Sequence, residues 1–324
     1  MQRREFITLL GGTIAWPSIV HGQEAEPRGL IVGFLGSGSR DQRPYLAPAI
    51  GKGLNDAGFT APIIEYRFSE GHYDRLDDLA EELLRQNVSV IIADGMGATI
   101  AAKKATETVP IVFMIGADPV TVGLVRSFSR PDANLTGLVI FGVQLIEKRL
   151  EILRELLPKA AKVALLVNPK APNVALMVRS AEASAKAMDQ ELHVIEASTD
   201  SELDAAFASL QQRQLAAVLV VTDPFLDNQR EQLVALSFRY SVPAMYQWRD
   251  FTEAGGFISY GPNLPASYRQ IAFYAGRILK GAKPSDLPVE QPTKFELVVN
   301  LKTARTFGIA IPAALLIRAD EIIE

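Results

Sequence analysis

The 324-residue chain contains no cysteine. That excludes disulfides, thiolate metal sites and cysteine nucleophiles together, while leaving an oxidising compartment open. Histidine is almost as scarce. His21, His72 and His193 are the only three, and none pairs at the spacing of an H-x-x-x-H zinc site, so nothing supports a zinc hydrolase. His72 and His193 read as surface or packing residues. A basic field is missing too: the formal charge is −4, no run of five like charges occurs, and nucleic acid is not expected as a partner. The chain carries no G-x-S-x-G elbow, no G-x-G-x-x-G fingerprint and no P-loop, nor a nucleophile beside a partnered base. These absences argue against an enzyme, a cofactor and a bound metal.

What is present begins at the N-terminus. The segment MQRREFITLLGGTIAWPSIVHGQ sets Arg3 and Arg4 before an apolar stretch from Phe6 to Val20, then small or polar residues. This is the layout of an export signal. At about 15 residues, interrupted by Gly11, Gly12 and Pro17, the stretch falls short of the roughly 20 needed to span a bilayer. We read it as cleaved after Gly22, which predicts a periplasmic mature protein. RREFI resembles a twin-arginine signal, with Gln2 and Thr8 departing from that motif; a general secretory signal with two chance arginines is the alternative.

With 48% hydrophobic and 22% charged residues, the chain can fill about two cores. From residue 30 onward, β-rich apolar runs alternate with stretches of helical period, which predicts parallel sheets covered by helices. Strands are expected at 30–36, 62–68, 88–95, 109–116 and 135–141, then at 162–168, 192–198, 216–223, 242–248 and 255–261. Helices with one apolar face are expected at 74–86, 145–158 and 201–213, with Asp74 and either Asp200 or Ser201 as N-caps. The fourth strand of each series opens on Val-Pro, at Val109-Pro110 and Val242-Pro243. Two similar α/β lobes follow from this. A helix at 264–281, a proline-rich connector and a β-like run at 295–301 send the chain back between them. The expected division is a signal at 1–22, one lobe at 28–140 plus roughly 262–288, and another at 141–261 plus roughly 289–324, joined by a multi-crossover hinge.

Ligands of open parallel sheets bind beyond the carboxyl ends of the strands. The loops there are GSGSRD (36–41), DGMGAT (94–99), GADPV (116–120), NPKAPN (168–173), TDPFLDN (222–228), YQWRD (246–250) and SYGPN (259–263). Small residues, hydroxyls, amides and single carboxylates dominate them, which suits a small polar ligand. Asp118-Pro119 and Asp223-Pro224 recur in the two lobes. Either each pair is an N-cap with proline in the first helical turn, or at least one carboxylate also faces the gap and pairs with a ligand ammonium. Tyr246, Trp248, Tyr260 and Phe141 lie where flat side chains could sandwich an apolar group, or could simply pack lobe edges.

Several stretches resemble the substrate-binding proteins of ABC importers, in the group commonly labelled tryptophan/tyrosine-type: RREFITLLGG, EYRFSEGHYDRL, VPIVFMIGADPV, KRLEILRELLP, VPAMYQWRDFTEAGGFISYGPN and YAGRILKGAKPSDLPVEQPTKFELVVNLKTA among them. The resemblance runs from the signal to the ending IPAALLIRADEII. It implies a type I periplasmic-binding fold with the ligand clamped between doubly wound lobes, a membrane permease and its ATPase subunit as partners, and a monomeric receptor for a small amino acid or carboxylate, aromatic ones included. The ligand-facing candidates it implies are Ser37, Ser39, Gly97, Thr99, Asp118, Asn168, Asn173, Asp223, Tyr246, Trp248 and Tyr260, joined by Phe141. Met96 departs from the group's commoner loop composition. Rival readings are a binding module reporting to a membrane sensor and an α/β enzyme.

Overall fold

The computed structural model describes residues 30–324 apart from Asp132 and Lys159. The export signal read above therefore lies outside the described residues.

The first lobe is built from β1 (Ile31–Gly36), α1 (Leu46–Asp56), β2 (Ile63–Phe68), α2 (Leu76–Arg85), β3 (Val90–Asp94), α3 (Met96–Ala105), β4 (Ile111–Ile115) and β5 (Leu135–Val139). Its strands are all parallel, in the order β2-β1-β3-β4-β5. The runs VIIAD and IVFMI are buried at every position, because helices cover both faces of the sheet and leave no side for polar residues. In α2, Leu76, Leu79, Ala80 and Leu83 bury one face while Asp77 and Asp78 sit in the first turn, where the helix dipole favours them.

The second lobe opens with α4 (Leu145–Leu156), then β6 (Lys162–Val167), α5 (Val174–Ala187), β7 (Glu191–Glu196), α6 (Asp200–Gln212), β8 (Val218–Val220), α7 (Pro224–Asn228), α8 (Arg230–Arg239), β9 (Ala244–Tyr246), α9 (Arg249–Glu253) and β10 (Ile258–Pro262). The chain next forms α10 (Leu264–Leu279), which packs along α1 and over the sheet of the first lobe. A bridge between Leu138 and Glu290 holds it there. It then returns to the second sheet as β11 (Phe295–Asn300), α11 (Leu301–Thr306), α12 (Ala313–Arg318) and β12 (Glu321–Ile323). That sheet runs β12-β11-β10-β9-β8-β6-β7, with β10 and β11 its antiparallel pair. Three passages of chain thus join the lobes, near residues 140–144, 262–264 and 290–295. Among the described residues, no helix is long and apolar enough to cross a membrane.

Local details differ from expectation for physical reasons. The N-cap of α6 is Thr199, one residue before the expected pair. Its extended backbone turns Oγ1 onto the Glu202 N–H at 3.3 Å, and Glu202 reaches back to the Ser198 N–H at 2.6 Å. Asp74 falls inside a single 3₁₀ turn whose end has no side-chain cap. The segment after Asp118 stays a turn rather than becoming a helix. The three-residue strand β12, too short to show a period, pairs at the sheet edge with β11.

Helices α1 and α10 meet at Gly53, where a Cβ would stand 2.1 Å from the Arg269 carbonyl oxygen and 2.7 Å from Ala272 Cβ. Gly53→Ala should therefore cost about 1–3 kcal/mol through forced separation of the helices, seen as a lower urea midpoint at constant slope. An unchanged midpoint would show that the contact can open freely.

Candidate functional site

The carboxyl ends of both sheets face each other across a cavity of about 50 Å³. Its polar side is organised by Arg43, from the loop between β1 and α1. Arg43 Nη1 donates to Asp94 Oδ2 at 2.7 Å and Nη2 to Asp227 Oδ2 at 2.8 Å, so one guanidinium ties an acid of the first lobe to an acid of the second. Arg43 also donates to the Tyr268 hydroxyl, which in turn donates to Asp94 at 2.8 Å. Asp227 accepts further bonds from Gln247 Nε2 at 2.5 Å and Trp248 Nε1 at 3.0 Å.

Local sequence explains these positions. Asp94 closes β3, immediately before Gly95 turns at φ 98° into α3. Asp223 caps α7, accepting from the Phe225 and Leu226 N–H groups at 3.0 and 3.1 Å, and Asp227 lies one helical turn further on. Burial pushes the Asp227 carboxyl up to about 6, with Arg43, Gln247 and Trp248 pulling the other way. Burial also raises Asp223, against the bonds it receives from Tyr73, Asn168 and the helix amides. Burial works against the Arg43 charge, yet Tyr268, Asp94 and Asp227 hold its guanidinium well above the ordinary arginine value.

The rest of the lining is largely apolar and rich in methionine: Met96, Met114 and Met177 join Ile140 and Leu264, with Trp248 contributing its ring. Unbranched thioethers adapt to a flat guest and make favourable sulfur–aromatic contacts. Around the cavity, the lobes are fastened by Tyr73 Oη to Asp223 Oδ2 (2.6 Å), Ser39 N to Asn228 Oδ1 (3.0 Å), Tyr45 Oη to Asp250 Oδ2 (3.0 Å) and Arg230 Nη1 to the Gln42 carbonyl (3.1 Å). Among the described residues, no cluster of His, Cys, Asp and Glu is arranged to hold a metal.

Of the sequence-derived candidates, Asn173 and Trp248 line the cavity. Asn168 and Asp223 bond to each other at 3.1 Å in a buried layer behind it. Ser37 is buried beside Gly95, its Oγ accepting from Ala98 N at 3.2 Å. Ser39 is spent on the interlobe bond to Asn228. Thr99 turns its hydroxyl onto the Gly95 carbonyl of its own helix, and Gly97 lies against the Tyr73 ring. Asp118 accepts from Val120 and Thr121 N–H groups in its own turn, outside the cavity lining. Tyr246 is buried against Phe251, ring centroids 4.6 Å apart. Phe141, Tyr260 and Phe295 form an aromatic cluster where the chain passes between lobes.

Arg43, Tyr73, Asp94, Thr222 and Asp227 line the cavity without having been singled out. Signals for two of them existed: Asp94 opens DGMGAT and Asp227 follows Asp223 at helical spacing. Arg43 sits in a loop without any pattern.

Known proteins share this architecture. Residues 39–323 match the family described as ABC transporter substrate binding protein. A tyrosine-binding protein of Clostridioides difficile (strain R20291) is 24% identical over 265 residues, covering 80% of this chain and 75% of the relative. A Vibrio cholerae O1 structure superposes with a TM-score of 0.84 at 23% identity, over 91% of this chain and 100% of the other. An ABC domain from Streptococcus pneumoniae in complex with L-Trp gives 0.82 at 21% identity, with the same coverage. The ligand-free, open structure of a substrate-binding protein from Clostridioides difficile gives 0.65 at 20% identity, over 91% of this chain and 99% of that one. The architecture is the type I periplasmic-binding fold expected from the sequence.

Removing the guanidinium would leave two buried carboxylates facing each other. Arg43→Met should cost about 3–5 kcal/mol at pH 7.5, and part of that loss should return at pH 5, where Asp227, its carboxyl already raised by burial and no longer held down by Arg43, takes up a proton. Urea titrations at the two pH values check this; an equal loss at both would contradict the pairing.

Proposed function

The chain belongs to the ABC transporter substrate binding protein family, and from that premise we propose that it is an exported, non-enzymatic receptor that closes around an aromatic amino acid. It delivers this ligand, as a periplasmic monomer, to a membrane permease driven by ATP hydrolysis in another chain.

One observation carries the reading. The interlobe cavity sets two carboxylates, Asp94 and Asp227, against one guanidinium, Arg43, beside a wall of methionine and aliphatic side chains. The excess carboxylate suits an ammonium group through a charge-assisted bond. Glycine at the N-cap of α3 offers no side chain and Ser37 Oγ takes the Ala98 N–H, so the N–H groups of Met96 and Gly97, at the positive end of the helix, suit the ligand's carboxylate. The methionine wall suits a large, polarisable side chain. The names of a tyrosine-binding relative and a tryptophan-bound neighbour support the same ligand class. Greater likeness to the tryptophan-bound structure than to the open one agrees with lobes drawn together here.

Isothermal titration with L-tyrosine and L-tryptophan tests the reading directly: at least one should bind at micromolar or tighter affinity, and no heat from either would overturn it. Because Asp227 carries its proton below about 6, affinity should hold steady above pH 7 and fall as the pH drops through that value, since a neutral acid no longer attracts the ammonium. A flat affinity from pH 5 to pH 8 would remove Asp227 from that role.

A further inference from the structure

Thr222 follows β8 and stands at the cavity wall. Among the described lining residues it holds the one side-chain polar atom, Oγ1, that is shielded from solvent and has no hydrogen-bond partner. Most neighbouring polar groups already have partners in the protein: Asp94 and Asp227 share Arg43 with one carboxylate in excess, Tyr73 bonds Asp223, and the Trp248 indole bonds Asp227, while the Asn173 amide lines the cavity less shielded than Thr222 Oγ1. Leaving a shielded hydroxyl unpaired is costly, so a wall that retains one points to a partner arriving from the cavity.

The surroundings of Thr222 indicate which part of the ligand arrives there. A Cβ on Gly142 would stand 3.2 Å from Gly116 Cα and 3.3 Å from Thr222 Oγ1. Gly142, in the passage between the lobes and itself packed on Gly116, therefore brings its backbone against the hydroxyl, in a bend fixed by Ile140 N to the Ile115 carbonyl (2.8 Å) and Val143 N to the Gly116 carbonyl (3.0 Å). No charged side chain bonds to Thr222 Oγ1, and the charged side chains that line the cavity gather around Arg43. An amino acid keeps its ammonium and carboxylate on one carbon, so both stay with the charged groups and the start of α3. Its side chain then extends towards Thr222.

We propose that Thr222 Oγ1 pairs with a hydrogen-bond donor on the ligand's ring, so that the receptor selects aromatic amino acids bearing a phenol O–H or indole N–H over phenylalanine. This rests on the aromatic amino-acid reading above and adds the chemistry by which the site tells such ligands apart. A shielded hydroxyl waiting without a partner discriminates because phenylalanine would bury it unpaired.

The test is calorimetric titration of L-tyrosine, L-tryptophan and L-phenylalanine into the wild type, Thr222→Val and Thr222→Ser. Valine keeps the shape and removes the hydroxyl; serine keeps the hydroxyl. In the wild type the better of tyrosine and tryptophan should bind about tenfold or more tighter than phenylalanine. That ratio should fall towards one in Thr222→Val and persist in Thr222→Ser. Equal binding of all three by the wild type, or a ratio unmoved by Thr222→Val in a variant with an unaltered melting temperature, would overturn the inference while leaving the receptor reading standing. Binding of none of the three would overturn both.

Discussion

The cavity depends on one guanidinium shared between acids from different lobes. Arg43, Asp94 and Asp227 are nearly removed from water, and taking such ions out of water is repaid only when geometry is good and the remaining lone pairs are satisfied. Here they are: Asp227 also receives Gln247 and Trp248, and Asp94 receives Tyr268. Because Arg43 and Asp94 belong to the first lobe and Asp227 to the second, separating the lobes would return Arg43 and Asp227 to water and refund their desolvation. The closed arrangement is thus a near-balance of large terms, which a modest ligand contribution can tip.

The rest of the site follows from that clasp. Asp223 starts α7 with two amide bonds and is braced by Asn168 and Tyr73. The short helix in turn fixes where Asp227 points, and Pro224 costs it no hydrogen bond in its first turn. Buried Asp223 thereby positions the carboxylate that meets the cavity. A shell of interlobe bonds joins Ser39, Gln42, Tyr45 and Tyr73 to the second lobe around the ionic centre, so the approach of the lobes is specified by polar complementarity well beyond the clasp itself.

Much of the architecture was legible because its signals are local. β3 and β4 read as unbroken apolar runs since both their faces are covered, and α2 shows its buried stripe at helical spacing. The paired Val-Pro openings pointed to two related lobes. The site was less legible. In TDPFLDN the Asp-Pro signature marks Asp223, whose oxygens are consumed by the protein itself, while Asp227 is marked only by its helical spacing from Asp223 and acquires its place through the helix that Asp223 begins. Thr99 and Ser37 stand in the right loops yet bond to their own lobe. Arg43 becomes visible only when two carboxylates distant in sequence, at positions 94 and 227, converge on it.

The central claim is that a ligand is held by drawing the two lobes together. Since the chain has no cysteine, spin labels at Glu107→Cys on the first lobe and Glu182→Cys on the second, both at exposed positions, would report on their separation alone. The account predicts that electron–electron distance measurements show a broad or longer population without ligand, which narrows to a single shorter distance with saturating L-tryptophan or L-tyrosine. A distribution unchanged while the same protein demonstrably binds ligand would contradict it.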